Sequence, residues 1–156
     1  MSTNEAPASP RIAAVQQDLS AGKIGVLEAF WQEATRQDTP LIESIEGDRK
    51  FALVTFLWRD ANSAANPAVV CSVAFPAEKD PMTHIPGTDV WFKTCRVPRN
   101  TLDSYQIAIG DSNQVDPFNS RVHVFPDDEE VNFKGWKSSI VQLPDARAQP
   151  WSKPIN

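Results

Sequence analysis

The sequence predicts an all-β fold, an antiparallel β-sandwich preceded by an N-terminal α-helical segment. Before residue 38, apolar side chains recur every three or four positions, which is the period of a helix. From residue 49 onward the period changes to two, and short apolar runs alternate with turn residues. Thirteen prolines against six glycines also favour short strands joined by stiff loops.

The helical segment is predicted over residues 11–37, after a loose, polar tail at residues 1–10. Gly22 and Gly25 are expected to break or begin the helix, so the segment can be one helix or two short ones. We expect the segment to pack on its own domain, and docking onto another domain or chain is the alternative. The predicted apolar face consists of Ile24, Leu27, Phe30, Trp31 and Ala34.

Six strands are predicted after the helical segment. Residues 50–58 are apolar on both faces, which indicates a central strand. No helices alternate with the strands, so a parallel doubly wound sheet is not expected. The domain is expected to end near residue 143, and residues 144–156 form a Pro-rich linker or strap with Trp151 as an anchor. The other five strands are predicted at residues 68–75, 89–97, 104–109, 121–125 and 137–143.

Composition limits the function classes. The formal net charge is −5 and the pI about 5.0, which argues against a nucleic-acid partner. No apolar run approaches the roughly 18 residues needed to span a membrane. The first residues lack a basic and then apolar signal sequence, so no membrane partner and a cytoplasmic location are predicted. Cys71 and Cys95 are interpreted as reduced, partly buried thiols, with a disulfide as the alternative.

The sequence carries no catalytic template, metal site or cofactor motif that we recognise. Ser112 lies in G-D-S-N, which lacks the second glycine of a nucleophile elbow and is typical of a turn. His84 and His123 have no spacing that supports a triad or a metal site. The acidic run at residues 127–130 is typical of a solvated turn. We therefore assign no catalytic residue, no metal ligand and no cofactor.

A series of motifs in order along the chain resembles the N-terminal domain of enterochelin esterases. These enzymes hydrolyse ferric enterobactin and related catecholate siderophores. The resemblance covers roughly residues 27–151, and it departs from the usual pattern at Asp38, Phe92, Phe118 and Ser120. The motifs are F-W at 30–31, D-T-P-L-I-E at 38–43, V-T-F-L-W-R at 54–59, G-T-D-V-W-F-K-T at 87–94, S-Y at 104–105, D-P-F-N at 116–119 and L-P-D-A-R-A-Q-P-W at 143–151.

The resemblance implies an early-set, immunoglobulin-like sandwich that caps a hydrolase domain and helps to shape the siderophore site. Members of the family continue into an α/β-hydrolase domain with a Ser-based triad. The present sequence stops just after the Q-P-W motif, so no catalytic residue is carried over. A hydrolase domain, in cis or in trans, is therefore an expected partner, together with a ferric catecholate siderophore.

A ferric tris-catecholate is flat-faced, aromatic and anionic, so a surface that binds it should offer aromatic rings and cations. Trp91 and Lys93 share strand parity and can lie on one face, whereas Arg96 has the opposite parity. Trp31 and Trp151 are candidates for an interdomain or partner contact. The alternative is that the strand tryptophans are core residues. The candidate ligand contacts are Trp58, Arg59, Trp91, Lys93 and Arg96.

Three functions remain open from the sequence. The first is a non-catalytic siderophore-recognition and cap domain of an enterochelin esterase. The second is a stand-alone protein-interaction module, and the third is a carbohydrate-binding module that stacks Trp58 and Trp91 on sugar rings. Tyr105, Asp116 and Asn119 are predicted to be structural in each case.

Overall fold

The computed structural model describes residues 7–71, 79–132 and 134–147. Predictions for most of the N-terminal tail, for the end of the second predicted strand and for Trp151 lie outside the described residues.

The helical segment consists of two helices, α1 (Pro10–Ser20) and α2 (Val26–Gln37). Helix α1 begins inside the predicted tail because the hydroxyl of Ser9 accepts a hydrogen bond from the N–H of Ile12. Pro10 fits the first helical position, where no N–H donor is needed. Ile24 was predicted on the apolar face but is fully exposed, because it lies in the turn between the helices.

The strands pair only in antiparallel fashion within the described residues, and they form two sheets. The four-stranded sheet has the order β1-β2-β6-β5. The six-stranded sheet has the order β4-β3-β7-β10-β9, with β8 paired to β7. The bounds are β1 Leu41–Ser44, β2 Phe51–Arg59, β3 Ala68–Cys71, β4 Asp80–Pro81, β5 Thr83–His84, β6 Val90–Pro98, β7 Leu102–Ile109, β8 Ser112–Gln114, β9 Val122–Phe125 and β10 Trp136–Gln142.

The antiparallel β-rich prediction is therefore confirmed. The six predicted strands correspond to β2, β3, β6, β7, β9 and β10. Most of the strand ends that the structure describes lie within one residue of their predicted positions. The short strands β1, β4, β5 and β8 were not predicted. Strands β4, β5 and β8 have two or three residues, which are too few for a period to show.

The domain has three layers, and the four-stranded sheet is the middle one. One face of this sheet packs on the six-stranded sheet, where Val54 and Phe56 meet Tyr105 and Ile107. The other face packs on the helices, where Leu57 meets buried side chains of α1 and α2. Strand β2 thus buries both of its faces, which explains its continuous apolar sequence.

Cys71 and Cys95 are free thiols, as interpreted from the sequence. Burial raises the pKa of both, that of Cys95 to about 11. Neither helix is long and apolar enough to cross a membrane.

Candidate functional site

The predicted ligand contacts lie on two different faces of the four-stranded sheet. In the β2–β6 register, Trp58 stands opposite Trp91 and Arg59 stands opposite Val90. Trp58 and Trp91 pack against the core between the two sheets, whereas Val90 packs under the helices. The structure therefore brings the two tryptophans together but separates them from Arg59.

Trp91 is 4% exposed, so its ring is core and does not form a surface on which a ligand could stack. Its indole N–H donates to the carbonyl of Asp60 at 3.1 Å, and the ring of His84 stacks on it at 4.5 Å. Phe92, its neighbour, is half-buried against the helical layer. Of the adjacent aromatic pair, then, neither ring faces freely outward.

The other two contacts on the Trp91 side are also engaged in packing or pairing. Trp58 is half-buried against the inter-sheet core, and its buried Nε1 has no hydrogen-bond partner in the described part of the chain. Lys93 pairs with Asp80 at 3.2 Å, with about a third of each side chain exposed. The structure thus offers Lys93 only as a partly neutralised charge.

Arg96 lies on the helix-side face but toward the other end of β6. Its guanidinium bonds Asp48 at 2.8 Å and lies 3.8 Å from the ring centroid of Phe51. The hydrogen bond from Arg96 is the main cause of a lowered pKa at Asp48. Arg59 and Arg96 are therefore not neighbours, and they do not form one cationic site.

Arg59 instead joins a cluster centred on Asp89, the Asp89 cluster, with Trp31. The Trp31 indole N–H donates to Asp89 Oδ1 at 2.9 Å, and Arg59 Nε donates to Oδ2 at 2.8 Å. The guanidinium carbon of Arg59 lies 5.4 Å from the Trp31 ring centroid. Burial opposes ionisation of Asp89, but these two hydrogen bonds outweigh it and hold the pKa below its usual range.

Trp31 is 3% exposed and stacks on Phe118, with ring centroids 5.0 Å apart. It therefore anchors α2 to its own domain, as the self-packing interpretation of the helix expects. Its predicted role in an interdomain or partner contact gains no support from this position.

An open cleft of about 710 Å³ adjoins the Asp89 cluster, and we call it the Arg59 cleft. Arg59 is half-exposed here, and Arg36 adds a second guanidinium from the last turn of α2. Sequence reasoning missed Arg36, because its approach to Arg59 depends on how the helix packs on the sheet. The described lining residues are Glu28, Trp31, Gln32, Thr35, Arg36 and Arg59.

A second cluster, the Asp116 cluster, is buried between the sheets and the loops. Asp116 is 1% exposed, and its Oδ2 accepts hydrogen bonds from the hydroxyls of Thr39 at 2.6 Å and Tyr105 at 2.7 Å. Its Oδ1 accepts the N–H of Phe118 at 2.9 Å. Burial is the main cause of a raised pKa at Asp116.

The Asp116 cluster continues to Asn119 and Ser139. The Asn119 amide donates to the Tyr105 hydroxyl at 3.1 Å and to the Ile140 carbonyl at 2.8 Å. The Ser139 hydroxyl accepts the N–H of Asp116 at 2.8 Å. The structural roles predicted for Tyr105, Asp116 and Asn119 follow directly from these bonds.

Six of the seven motifs of the sequence give residues to these two clusters. F-W, V-T-F-L-W-R and G-T-D each give one residue to the Asp89 cluster, and D-T-P-L, S-Y and D-P-F-N each give residues to the Asp116 cluster. Their order along the chain thus reflects the assembly of the domain. Among the residues described, no group of three or more His, Cys, Asp or Glu is placed to hold a metal ion.

Residues 53–114 match the family model described as the N-terminal domain of enterochelin esterase. The iron(III) salmochelin esterase of Escherichia coli O6:H1 is 33% identical over 99 residues, which cover 62% of this chain and 24% of that protein. The iron(III) enterobactin esterase of Dickeya dadantii is 26% identical over 145 residues, which cover 83% of this chain and 32% of that protein. The chain thus spans about a quarter to a third of the length of these two relatives.

Solved structures show the same fold. The enterobactin esterase of Shigella flexneri, crystallised in the presence of 2,3-dihydroxy-N-benzoylserine, superposes with a TM-score of 0.60 at 20% identity over 79% of this chain and 36% of that one. The ferric enterobactin esterase of Salmonella typhimurium gives a TM-score of 0.56 at 22% identity over 80% and 40% of the two chains. At these identities the likeness concerns the fold alone.

Proposed function

This chain is related to the enterochelin esterases through their N-terminal domain, and we propose that it is the siderophore-recognition and cap domain of such an enzyme, without catalytic activity of its own. The observation that carries the proposal is the Arg59 cleft, where two arginines border an open surface. The proposed location of the enzyme is the cytoplasm.

The chemistry of the Arg59 cleft suits a ferric catecholate. Such a complex is anionic and carries its charge on oxygens at the edges of flat rings, which a planar guanidinium recognises well. Among the described residues, Asp89 accepts a hydrogen bond from Nε of the Arg59 guanidinium. The terminal nitrogens of Arg59 remain as donors for a ligand, and the bond to Asp89 fixes their position.

The cleft is not uniformly cationic, since Glu28 also lines it. Arg36 offsets the charge of Glu28, and Arg59 offsets that of Asp89, so long-range attraction of an anion is weak here. We therefore expect affinity to come from short-range hydrogen bonds to Arg59, not from electrostatic steering.

A hydrolase domain, joined in cis or bound in trans, supplies the nucleophile in this proposal. The relatives are named as esterases, and this chain matches only a quarter to a half of the length of each. Ser112, the one serine in a motif near a nucleophile elbow, lies exposed at the start of β8 in a tight turn. The chain alone should therefore not hydrolyse ferric or iron-free enterobactin, and hydrolysis that survives Ser112→Ala would contradict the non-catalytic role.

Siderophore recognition is tested by equilibrium dialysis with ferric enterobactin, in which the absorbance of the iron complex reports the bound fraction. We expect Arg59→Ala to weaken binding about tenfold or more, because a charge-assisted hydrogen bond is lost. Arg36→Ala should weaken it less. Arg49→Ala is the matched control, since it removes the same charge from an exposed residue outside the cleft. Absence of saturable binding, or equal loss in Arg49→Ala, would contradict the proposal.

A further inference from the structure

The outer face of the six-stranded sheet carries an exposed aromatic surface that the proposed function does not use. Trp136 opens β10 directly opposite Phe125 at the end of β9. Their rings stack with centroids 4.6 Å apart at 30°, and the ring of His123 meets Phe125 edge-on at 4.2 Å. Trp136 is 46% exposed. We call His123, Phe125 and Trp136 the aromatic shelf.

Phe125 and Trp136 of the aromatic shelf line an open cleft of about 450 Å³. Alternate residues of a strand face the same side, so Ser104 and Gln106 of β7 point away from the core residues Tyr105 and Ile107. They therefore lie on the shelf side of the sheet. The side chains that border the cleft on this outer face are Val70, Ser104, Gln106, Phe125, Trp136 and Ser138.

The lining chemistry differs from that of the Arg59 cleft. The described side chains that border the shelf cleft carry no formal charge, whereas two arginines and a glutamate border the other cleft. Gln106 donates through Nε2 to the carbonyl of Lys137 at 2.8 Å, which fixes its amide and leaves Oε1 as an acceptor. Ser104 adds a hydroxyl that can donate or accept.

A ligand for this cleft needs one apolar face to lie on an aromatic plane and uncharged polar groups at its rim. A pyranose ring has this form, since its axial C–H bonds present a weakly positive face and its hydroxyls project from the edge. The negative face of an indole ring attracts such C–H groups. We propose that the cleft binds a neutral hexopyranose oligosaccharide, with a sugar ring on Trp136 and a hydroxyl donating to Gln106 Oε1.

An anionic catecholate fits this cleft less well, because the described lining supplies no cation to balance its charge. Lys137 has the opposite strand parity to Trp136, so its side chain projects from the other face of β10. We therefore expect the Arg59 cleft to prefer an anionic ligand and the shelf cleft to prefer a neutral one.

This site is tested by isothermal titration calorimetry of the full chain with neutral gluco-, manno- and xylo-oligosaccharides. We expect saturable binding of at least one hexose oligosaccharide. Trp136→Ala should weaken it about tenfold or more, and Gln106→Ala severalfold. Val131→Ala is the control for a lost exposed apolar side chain outside the cleft. Circular dichroism establishes that each variant is folded.

Two further arms separate this site from the Arg59 cleft. Arg59→Ala should leave sugar binding unchanged, and Trp136→Ala should leave ferric enterobactin binding unchanged. The inference is overturned if no oligosaccharide binds, if binding survives both Trp136→Ala and Gln106→Ala, or if ferric enterobactin competes with the sugar.

Discussion

Two aspartates hold distant parts of this chain together, and they do so in opposite environments. Asp116 is fully buried and collects hydrogen bonds from two hydroxyls and one backbone N–H. Asp89 is 22% exposed and collects one indole N–H and one guanidinium. The pKa of Asp116 is raised by burial, whereas hydrogen bonds lower that of Asp89.

The difference separates a cluster that supports the fold from one that borders the site proposed for recognition. The two residues that donate hydroxyls to Asp116, Thr39 and Tyr105, are themselves buried, so this cluster can only hold the strands and loops in place. Asp89 connects buried Trp31 to half-exposed Arg59, so its cluster ties the helix to the sheet and also fixes a side chain at the surface. In both clusters, side chains from separate motifs donate to one aspartate. The Asp116 cluster lies inside the fold, whereas the Asp89 cluster borders the open Arg59 cleft.

The largest expected effect is the loss of Asp116. Asp116→Ala leaves the hydroxyls of Thr39 and Tyr105 buried without their acceptor, and each such loss costs about 1–3 kcal/mol. We expect the free energy of unfolding in urea to fall by about 3 kcal/mol or more.

Asp111→Ala is the matched control for that variant, because Asp111 is exposed in the turn before β8. It should change stability by no more than about 0.5 kcal/mol. If the two variants were equally stable, Asp116 would not support the fold.

A smaller loss is expected at Asp89. Asp89→Ala removes the acceptor of the Trp31 indole and the tether of Arg59, but water reaches part of this site. We expect a cost of about 1–2 kcal/mol in the same urea experiment. A cost as large as that of Asp116→Ala would remove the contrast between a scaffold cluster and a surface cluster.

The pH dependence of stability gives the smallest effect, with opposite signs at the two sites. A raised pKa means that Asp116 contributes most below its unfolded pKa of 3.8 and loses that contribution as the pH rises. A lowered pKa means that Asp89 contributes above 3.8 and loses its contribution as the pH falls through its folded pKa.

Urea unfolding of the wild type, Asp116→Asn and Asp89→Asn across this pH range measures both trends. The wild-type advantage over Asp116→Asn should shrink as the pH rises above 3.8. The advantage over Asp89→Asn should shrink as the pH falls below 3.8. Trends of the same sign for both variants would contradict the assignment.

Much of the fold could be predicted from the sequence, because β2, β6 and β7 have periods long enough to show. Strand β1 could not, because its pairing with β2 is set by tertiary contacts. Six of the seven motifs behind the family resemblance have side chains that meet in the two clusters, so the resemblance follows residues that hold the fold together.

The candidate site was less accessible to prediction. Strand parity gave Trp91 and Lys93 a common face but could not show that the second sheet covers the Trp91 side of β6. Arg36 lies on a different element from Arg59, so only the packing of α2 reveals the pair. Trp136, the exposed tryptophan of the described residues, had no period or motif to mark it.

Siderophore recognition through the Arg59 cleft is tested most directly by following the backbone amide resonances of the full chain during titration with enterobactin that carries gallium in place of iron, which avoids paramagnetic broadening. We expect the perturbed amides to cluster at α2 and at the end of β2, around Arg36 and Arg59. This pattern should be lost in Arg59→Ala and retained in Arg49→Ala. Perturbations confined to the aromatic shelf, or none at saturating siderophore, would contradict recognition through the Arg59 cleft.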